Sequence, residues 1–160
     1  MLRWEPPGSG WVKLNVDGTC MNASGKIGAG GVIRDCFGEW CGGFAVNLGK
    51  GHILDAEIWG LFFGLRLAVA KGLTKILIEM DSHSAVNLFQ QRDSLCFHPL
   101  AALLSNCGKM LSHFESEYPA YFQREEWFGG LPVLCFWGPP RPPILSKNKG
   151  TNLVLNPYSF

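Results

Sequence analysis

The segment spanning residues 53–71 constrains the fold more than any other part of the chain. Apolar residues surround nearly the whole of this predicted helix, and Gly72 follows it as a helix C-cap. A helix that is apolar on nearly every side has to be buried on more than one side. The segment therefore predicts a helix packed inside a layered domain.

Four strand-like runs accompany this helix. Three of them precede it, at residues 11–17, 27–34 and 39–47, with short connections that favour an antiparallel meander. The fourth run, residues 74–80, is continuously apolar, which is typical of a central strand covered on both faces. The fold class predicted is α/β, with a mixed sheet in which strands 1–3 are antiparallel, strand four is parallel to strand one, and helices cover the sheet.

The first run alternates apolar and polar residues with a period of two. Its apolar members are Val12, Leu14 and Val16, and its polar members are Lys13, Asn15 and Asp17. This alternation predicts a strand with one buried face and places Asp17 on the open face. If strand four lies beside strand one, Asp17 and Asp81 end at the same edge of the sheet, where open α/β sheets bind ligands.

The rest of the chain divides into a linker, the end of the domain and a tail. Residues 1–10 are rich in proline and glycine and are predicted to be a linker into a domain covering residues 11–126. Ser82 is a good N-cap for a short helix to about Gln91, and a further helix is predicted from Pro99 to about His113. Residues 127–160 contain six prolines without helical or strand periodicity, so we expect an irregular proline-rich tail.

The composition indicates a globular protein inside the cell. Apolar residues make up 47% of the chain and charged residues 17%, and no apolar run reaches the roughly 18 residues needed to span a membrane. The N-terminus lacks the apolar core of a signal peptide, and the six cysteines show no zinc-site spacing and are expected to be reduced. We expect a nuclear or cytoplasmic protein that is not secreted. Because the net charge is only +1, any nucleic-acid binding must depend on a local site.

Three acidic residues stand where this pattern predicts a metal site. Asp17 ends the first strand, Glu57 lies near the start of the apolar helix, and Asp81 ends the fourth strand. Ionised carboxylates in apolar sequence are costly unless a counter-charge meets them. No basic partner is nearby in the sequence, so a hard cation such as Mg²⁺ is the inferred counter-charge.

Each of these acids also has an ordinary structural interpretation. Asp17 with Gly18 forms a common turn pair, Glu57 could be a first-turn acid favoured by the helix dipole, and Asp81 could be a capping residue beside Ser82. Asp55 fits the first-turn role better than Glu57 does. The order and context of all three acids favour the metal site over these separate explanations.

Four motifs in the same order resemble the ribonuclease H fold. More closely, they resemble the plant ribonuclease H-like domains of the non-LTR retrotransposon reverse transcriptase type, over roughly residues 4–115. The motifs are Leu14-Asn15-Val16-Asp17-Gly18-Thr19, Gly28-Ala29-Gly30-Gly31-Val32-Ile33-Arg34-Asp35, Ala56-Glu57 with Gly60-Leu61, and Glu79-Met80-Asp81-Ser82. The opening Trp4-Glu5-Pro6-Pro7 and the following Gly10-Trp11-Val12-Lys13 are also similar to the start of those domains.

This resemblance implies two-metal hydrolysis of the RNA strand in an RNA–DNA hybrid. Asp17, Glu57 and Asp81 would be the catalytic residues and would hold two Mg²⁺ ions about 4 Å apart, with Mn²⁺ as an alternative ion. Glu57 would also lie near the ribose 2′-OH that distinguishes RNA from DNA. Gly18, Thr19 and Ser82 would contact nucleic acid. The expected partner is the hybrid, without a membrane, and the protein would act as a monomer.

The last part of the family pattern is not found in this chain. The family continues with a fifth strand, a histidine-containing loop and a helix that carries a fourth acidic residue. No matching segments follow residue 126, so the fifth strand and last helix are expected to be incomplete or missing. The alternative function is therefore a catalytically impaired, nucleic-acid-binding remnant of a retroelement domain. A third possible function is that of another nuclease or transferase of this fold that acts on DNA.

Two further patterns are assigned to structure rather than to function. The run Gly28-Ala29-Gly30-Gly31 precedes strand residues instead of opening a helix, which argues against a dinucleotide site. The aromatic residues Trp59, Phe62 and Phe63 lie within the apolar helix and are predicted to pack in the core rather than stack on bases.

Overall fold

A five-stranded sheet carries three α-helices in the computed structural model, which describes residues 4–21 and 23–121. The strands are β1 (Val12–Met21), β2 (Lys26–Arg34), β3 (Trp40–Lys50), β4 (Lys75–Met80) and β5 (Glu115–Tyr121). The helices are α1 (Ile53–Ala70), α2 (His83–Gln90) and α3 (Ala101–Leu111), with a 3₁₀ turn at Arg92–Ser94. Every predicted helix and strand is present, with ends that differ by a few residues.

The sheet has the strand order β3-β2-β1-β4-β5. Strands β1, β2 and β3 pair as an antiparallel meander, whereas β4 pairs parallel to β1. This arrangement confirms the predicted α/β class and the predicted neighbourhood of strands one and four. It also places β1, which carries Asp17, in the middle of the sheet.

Helix α1 packs directly on β1 because small residues face that strand. A Cβ atom on Gly64 would lie 2.8 Å from Leu14 Cδ2, so a larger residue would require the Leu14 side chain to move. The helix also contacts β2, β3 and α3, and Leu61 and Leu65 are fully buried. It ends at Lys71, and Gly72 follows with a φ of +66°, a left-handed conformation that favours glycine. The prediction of a helix buried on several sides is confirmed.

The hydrophobic core lies between the sheet and the helices. Trp59, Phe62 and Phe63 form a cluster of neighbouring rings, and Phe63 also lies 6.2 Å from Phe44 of β3, centroid to centroid. Phe63 is buried, and Trp59 and Phe62 are partly buried against the core. These rings contribute to core packing, as the sequence predicts.

The prediction that β1 has one open face is wrong. Lys13 is 5% exposed, Asn15 0% and Asp17 2%, so the polar face of this strand is buried as well as the apolar face. The physical reason is that polar partners from β4 and from the segment before β1 meet Lys13 and Asn15, while Asp17 lies beside two further acids. Period-two alternation shows that the two faces of a strand differ chemically, but it does not show that the polar face meets water.

The alternative that the fifth strand is missing is also wrong. Residues Glu115–Tyr121 pair in parallel with β4 and form the sheet edge. Pro119 falls at a register shift between the pairs Leu77–Glu117 and Glu79–Ala120. An edge strand tolerates a proline at such an irregularity, because no ladder hydrogen bond is required there from its nitrogen. The expectation that the last helix is incomplete or missing and the predicted tail at 127–160 both fall outside the described residues.

Two remaining sequence features have a simple structural outcome. Five cysteines are free in the described part of the chain: Cys107 is buried, Cys96 is exposed, and Cys20, Cys36 and Cys41 are intermediate. Among the helices of residues 4–21 and 23–121, none combines the length and apolar character that a membrane span requires.

Candidate functional site

Three carboxylates from distant parts of the chain meet at one place. Asp17 lies on β1, Glu57 is the fifth residue of α1, and Asp81 directly follows β4. One carboxylate oxygen from each residue lies within 4.8 Å of the other two. This is the cluster that the sequence predicts, and it is the one group of at least three potential metal ligands within the described residues. We call it the carboxylate cluster.

The pairing of β1 with β4 brings Asp17 next to Asp81. The two strands run parallel, and their last register pair is Val16 with Met80. Asp17 and Asp81 are therefore the next residues along the two strands. Asp17 pairs with Gly30 of β2, which holds its backbone within the sheet, and Asp81 directly follows the last residue of β4 that pairs with β1.

Glu57 reaches the same place because Gly18 has no side chain. A Cβ atom on Gly18 would lie 2.7 Å from the backbone nitrogen of Glu57 and 2.9 Å from the carbonyl carbon of Ala56. The first turns of α1 can therefore rest on the β1 backbone. The backbone N–H of Gly18 donates a hydrogen bond of 3.1 Å to Glu57 Oε2, which aims the carboxylate at the cluster.

The start of α1 is set by another acid. The Asp55 carboxylate accepts a hydrogen bond of 2.9 Å from the backbone N–H of His52, the N-cap residue. Asp55 thus has the first-turn role that the sequence analysis preferred for it. Glu57 lies two residues further along and contributes to the carboxylate cluster instead.

The donor chemistry of the cluster fits a hard divalent cation. Asp17 and Glu57 are 2% and 4% exposed, whereas Asp81 is half-buried. Three like charges at this spacing repel one another, and burial strengthens that repulsion by lowering the local dielectric constant. Carboxylate oxygens are the ligands preferred by Mg²⁺, Ca²⁺ and Mn²⁺. The half-buried Asp81 leaves one side of the cluster accessible from solvent.

The predicted nucleic-acid contacts border the cluster. Thr19 follows Gly18 on β1 and is half-buried. The Ser82 hydroxyl oxygen accepts a hydrogen bond of 3.2 Å from the backbone N–H of Ala85, so this side chain caps α2. The assignment of Gly18, Thr19 and Ser82 to nucleic-acid binding remains a prediction. Exposed His83 follows Ser82, with Nδ1 lying 3.4 Å from Asn87 Nδ2.

A second polar group beside the site was missed by the sequence analysis. The carboxylate of Glu79 on β4 accepts a hydrogen bond of 2.7 Å from Asn15 Nδ2 and forms an ion pair of 2.5 Å with Lys13. All three residues are buried, with at most 5% of their surface exposed. The only sequence signal was one acid within the apolar run 75–80, and nothing in the spacing connects Glu79 to residues more than 60 positions earlier.

The segment before β1 covers this second group. Trp4 Nε1 donates a hydrogen bond of 3.3 Å to Asn15 Oδ1, and Lys13 donates one of 2.6 Å to the backbone oxygen of Glu5. The Arg34 guanidinium carbon lies 5.2 Å from the centroid of the Trp4 ring, a cation–π contact. Burial lowers the pKa of Arg34 from its usual value.

Comparison with known proteins agrees with this architecture. Residues 15–126 match the family model described as reverse transcriptase-like. A putative ribonuclease H protein of Arabidopsis thaliana is 41% identical over 111 residues. This match covers 69% of the present chain but only 18% of that longer protein.

Solved structures with low sequence identity share the fold. The N-terminal RNase H domain of a Mycobacterium tuberculosis protein superposes with a TM-score of 0.65 at 24% identity, covering 71% of this chain and 83% of that chain. RNase H1 of Halobacterium salinarum gives 0.61 at 20% identity, covering 71% and 86%. A compost-derived RNase H1, solved in complex with an RNA/DNA hybrid, gives 0.62 at 19% identity, covering 71% and 86%.

Proposed function

This chain belongs to the reverse transcriptase-like family and has a ribonuclease H-like fold, and on that premise we propose that it hydrolyses the RNA strand of RNA–DNA hybrids with a divalent cation. The observation that carries the proposal is the meeting of Asp17, Glu57 and Asp81, whose carboxylate oxygens lie within 4.8 Å of one another. These residues are separated by 40 and 24 positions in the sequence, so only folding can assemble them.

The carboxylate cluster would hold the metal, and Mg²⁺ is the ion we propose. Asp17, Glu57 and Asp81 supply only oxygen ligands, and a two-ion site would use all three residues. Bound Mg²⁺ would supply positive charge at a phosphodiester and would lower the pKa of a bound water, whose deprotonated form is the nucleophile. Because Asp17 and Glu57 are buried, water screens their charges less than it would at an exposed acidic patch.

The protein's own part in this reaction is to hold its groups in place. Asp17 is carried by a central strand, and Glu57 is aimed by the N–H of Gly18 at 3.1 Å. Asp81 is the most accessible of the three and stands on the side where substrate would arrive. The Gly18 and Thr19 backbone borders the same place and would approach the scissile phosphate. Fixed geometry of this kind saves the reorganisation that the reaction would otherwise require.

The hybrid is the substrate that we propose for this site. A neighbour of the same fold was solved with an RNA/DNA hybrid, which supports this substrate class for the fold. RNA and DNA contain the same phosphodiester group, so a metal site alone does not distinguish them. Selection of RNA therefore requires a group that contacts the ribose 2′-OH. We assign that contact to Glu57, which the first turns of α1 bring beside Asp17.

Cleavage of a labelled RNA–DNA hybrid tests the proposal. We expect wild-type protein with Mg²⁺ to shorten the RNA strand and leave the DNA strand intact, and Asp17→Asn to abolish this cleavage. Asp93→Asn is the matched control, because it makes the same chemical change at an exposed acid outside the cluster. Activity that persists in a purified Asp17→Asn sample would point to a contaminating nuclease.

Two other outcomes would replace this function. Hybrid binding without cleavage would favour the impaired, nucleic-acid-binding remnant, for which the absence of a fourth acid from the cluster of described residues is the motive. Cleavage of duplex DNA at a rate equal to or above that of the hybrid would favour a DNA-directed nuclease of the same fold. Parallel assays on hybrid, duplex RNA and duplex DNA separate these cases.

A further inference from the structure

A buried polar network joins β1 to β4 beneath the carboxylate cluster. It consists of Lys13, Asn15 and Glu79, closed from the N-terminal side by Trp4, and we call it the β1–β4 network. Glu79 accepts from Asn15 at 2.7 Å and pairs with Lys13 at 2.5 Å, and Asn15 in turn accepts from Trp4 Nε1 at 3.3 Å. Every connection between the two strands in this network is made by side chains.

Stability alone does not explain a charged network at this depth. The side chains of Lys13 and Glu79 are 6% and 3% exposed, so both charges have lost nearly all of their hydration. The mutual attraction of such a pair often only offsets that loss, and apolar replacements of similar volume are frequently as stable. A hydrogen-bonded network is directional, so it favours the one packing of the strands in which all of its groups are paired.

The arrangement that this network discriminates is the register of β1 against β4. Asn15 and Glu79 are register partners, and their side chains meet. Asp17 and Asp81 lie two residues further along the same strands, hence on the same face of the sheet. A slip of one residue would turn one of the two carboxylates toward the opposite face. The apolar side chains of Leu14 and Val16 also oppose a slip of one residue, because it would turn them out of their packing face. A slip of two residues would keep every side chain on its face and still separate Asp17 from Asp81, and the contact between Asn15 and Glu79 opposes that slip.

We propose that Asn15 and Glu79 are positioning residues, which fix the register of β1 against β4 and thereby the separation of the Asp17 and Asp81 carboxylates. Lys13 balances the charge of Glu79, and Trp4 closes the network from the N-terminal segment. None of these four residues touches the substrate. This inference rests on the proposed function, because it concerns the metal site that the function requires.

Mn²⁺ binding measured by titration calorimetry, alongside hybrid cleavage, tests the inference. The variant K13M/E79L replaces both charges with apolar groups of similar length, so the fold is retained without an unpaired buried charge. We expect Mn²⁺ affinity about tenfold below wild type, as when groups that orient metal ligands are removed. We also expect a lower kcat at unchanged KM for the hybrid, because the network makes no substrate contact.

The matched control uses the other ion pair of β4. Lys75 and Glu115 pair at 3.3 Å between β4 and β5, with side chains 42% and 63% exposed. The double variant K75M/E115L likewise removes one lysine and one glutamate charge that pair between β4 and a neighbouring strand, which here is β5. It should bind Mn²⁺ as wild type does. Equal melting temperatures of the two double variants would exclude loss of folding as the cause of weaker binding.

The outcomes separate this inference from the proposed function. Wild-type Mn²⁺ affinity and kcat in folded K13M/E79L would overturn the positioning role and leave the proposed function intact. Failure of wild-type protein to bind Mn²⁺ or cleave the hybrid would overturn both. If K13M/E79L does not fold, Asn15→Ala decides, since it keeps the ion pair and removes only the bridging amide. If neither variant folds, the network serves folding itself and the positioning role is overturned.

Discussion

In the carboxylate cluster, Asp17 and Asp81 lie two residues beyond Asn15 and Glu79 of the β1–β4 network. The two groups are nevertheless built on opposite electrostatic principles. In the network, Glu79 meets a cation and an amide donor, and its charge is balanced within the fold. In the cluster, three groups of the same sign are held within 4.8 Å, two of them buried. The charges of the network are neutralised within the protein and hold the strands together. The charges of the cluster need a cation from solution to neutralise them.

The comparison also shows what a strand face can hide. Lys13, Asn15 and Asp17 occupy one face of β1 and are all buried, but for different reasons. The first two are buried with polar partners that complete their bonding within the protein. Asp17 is buried beside two further acids, an arrangement that stability alone would not favour. On this face of β1, Lys13 and Asn15 therefore have a structural role, and Asp17 has a functional one.

The largest expected effect is the loss of cleavage in Asp17→Asn, which should occur without a loss of stability. Asp17→Asn removes one ligand, and we expect about a 10³-fold loss of hybrid cleavage, since metal stabilisation of the transition state amounts to several kcal/mol. The melting temperature in metal-free buffer should stay the same or rise, because one repulsive charge is gone. A marked fall in melting temperature would show that Asp17 has a structural role instead.

The converse change at Glu79 should damage the fold. Glu79→Ala leaves the buried ammonium of Lys13 without its carboxylate, and removal of one partner of such a pair costs about 3–5 kcal/mol. Urea denaturation at neutral pH measures this loss. K75M offers the contrast, because the exposed pair that it breaks is worth about 0–1 kcal/mol. Similar losses in both variants would contradict the distinction drawn above.

Divalent cations should stabilise only the protein with an intact cluster. At a concentration about 100 times its Kd, Mg²⁺ should add about 2.7 kcal/mol to the free energy of unfolding. Thermal melts with and without Mg²⁺ measure the effect. Asp17→Asn and Glu57→Gln should lose it, and K75M should retain it. A shift of equal size in all variants would indicate a general salt effect.

Gly18 is required both for the packing of α1 on β1 and for the position of Glu57. Gly18→Ala places a Cβ atom 2.7 Å from the Glu57 backbone nitrogen and should cost about 1–3 kcal/mol, as over-packing does, with reduced cleavage as α1 is displaced. Gly8→Ala is the control, since its Cβ atom would lie 4.0 Å from the nearest neighbour, Trp11. Stability and cleavage measured together should fall in the first variant only.

The smallest expected effect concerns the buried thiol of Cys107, which stays uncharged in the folded protein. Burial raises the pKa of the Cys107 thiol to about 12, from 9.0. The thiol therefore stays protonated in the fold while the unfolded chain loses its proton, so stability falls as pH rises from about 9 toward 12. Between pH 8 and pH 10 the wild type should lose about 1.4 kcal/mol more than Cys107→Ala. Parallel pH profiles for the two proteins would contradict this.

Much of the fold was predictable because it depends on local patterns. Strand periodicity, the apolar helix and the Gly72 cap gave the element order and their approximate ends. The three acids were predictable from the motifs that contain them, and Glu57 near the start of α1 and Asp81 directly after β4 lie where the sequence predicts. Asp17 does not end its strand as predicted, because β1 continues to Met21 through its pairing with β2. The burial of Lys13 and Asn15 was not predictable, since their partner Glu79 lies 64 residues beyond Asn15. The edge strand β5 was expected to be incomplete or missing because the family pattern does not continue after residue 126, yet residues 115–121 pair with β4.

The amino-acid sequence by itself determined the order of strands and helices, the apolar core and the identity of the three acids, because these depend on the residue types and spacing of short segments. Only the tertiary structure decided that the polar face of β1 is buried, that Gly18 admits α1, and that Glu79 joins Lys13 and Asn15 rather than the carboxylate cluster. Those features depend on side chains that meet across a strand pair, and a contact between distant segments leaves no periodic signal in either one.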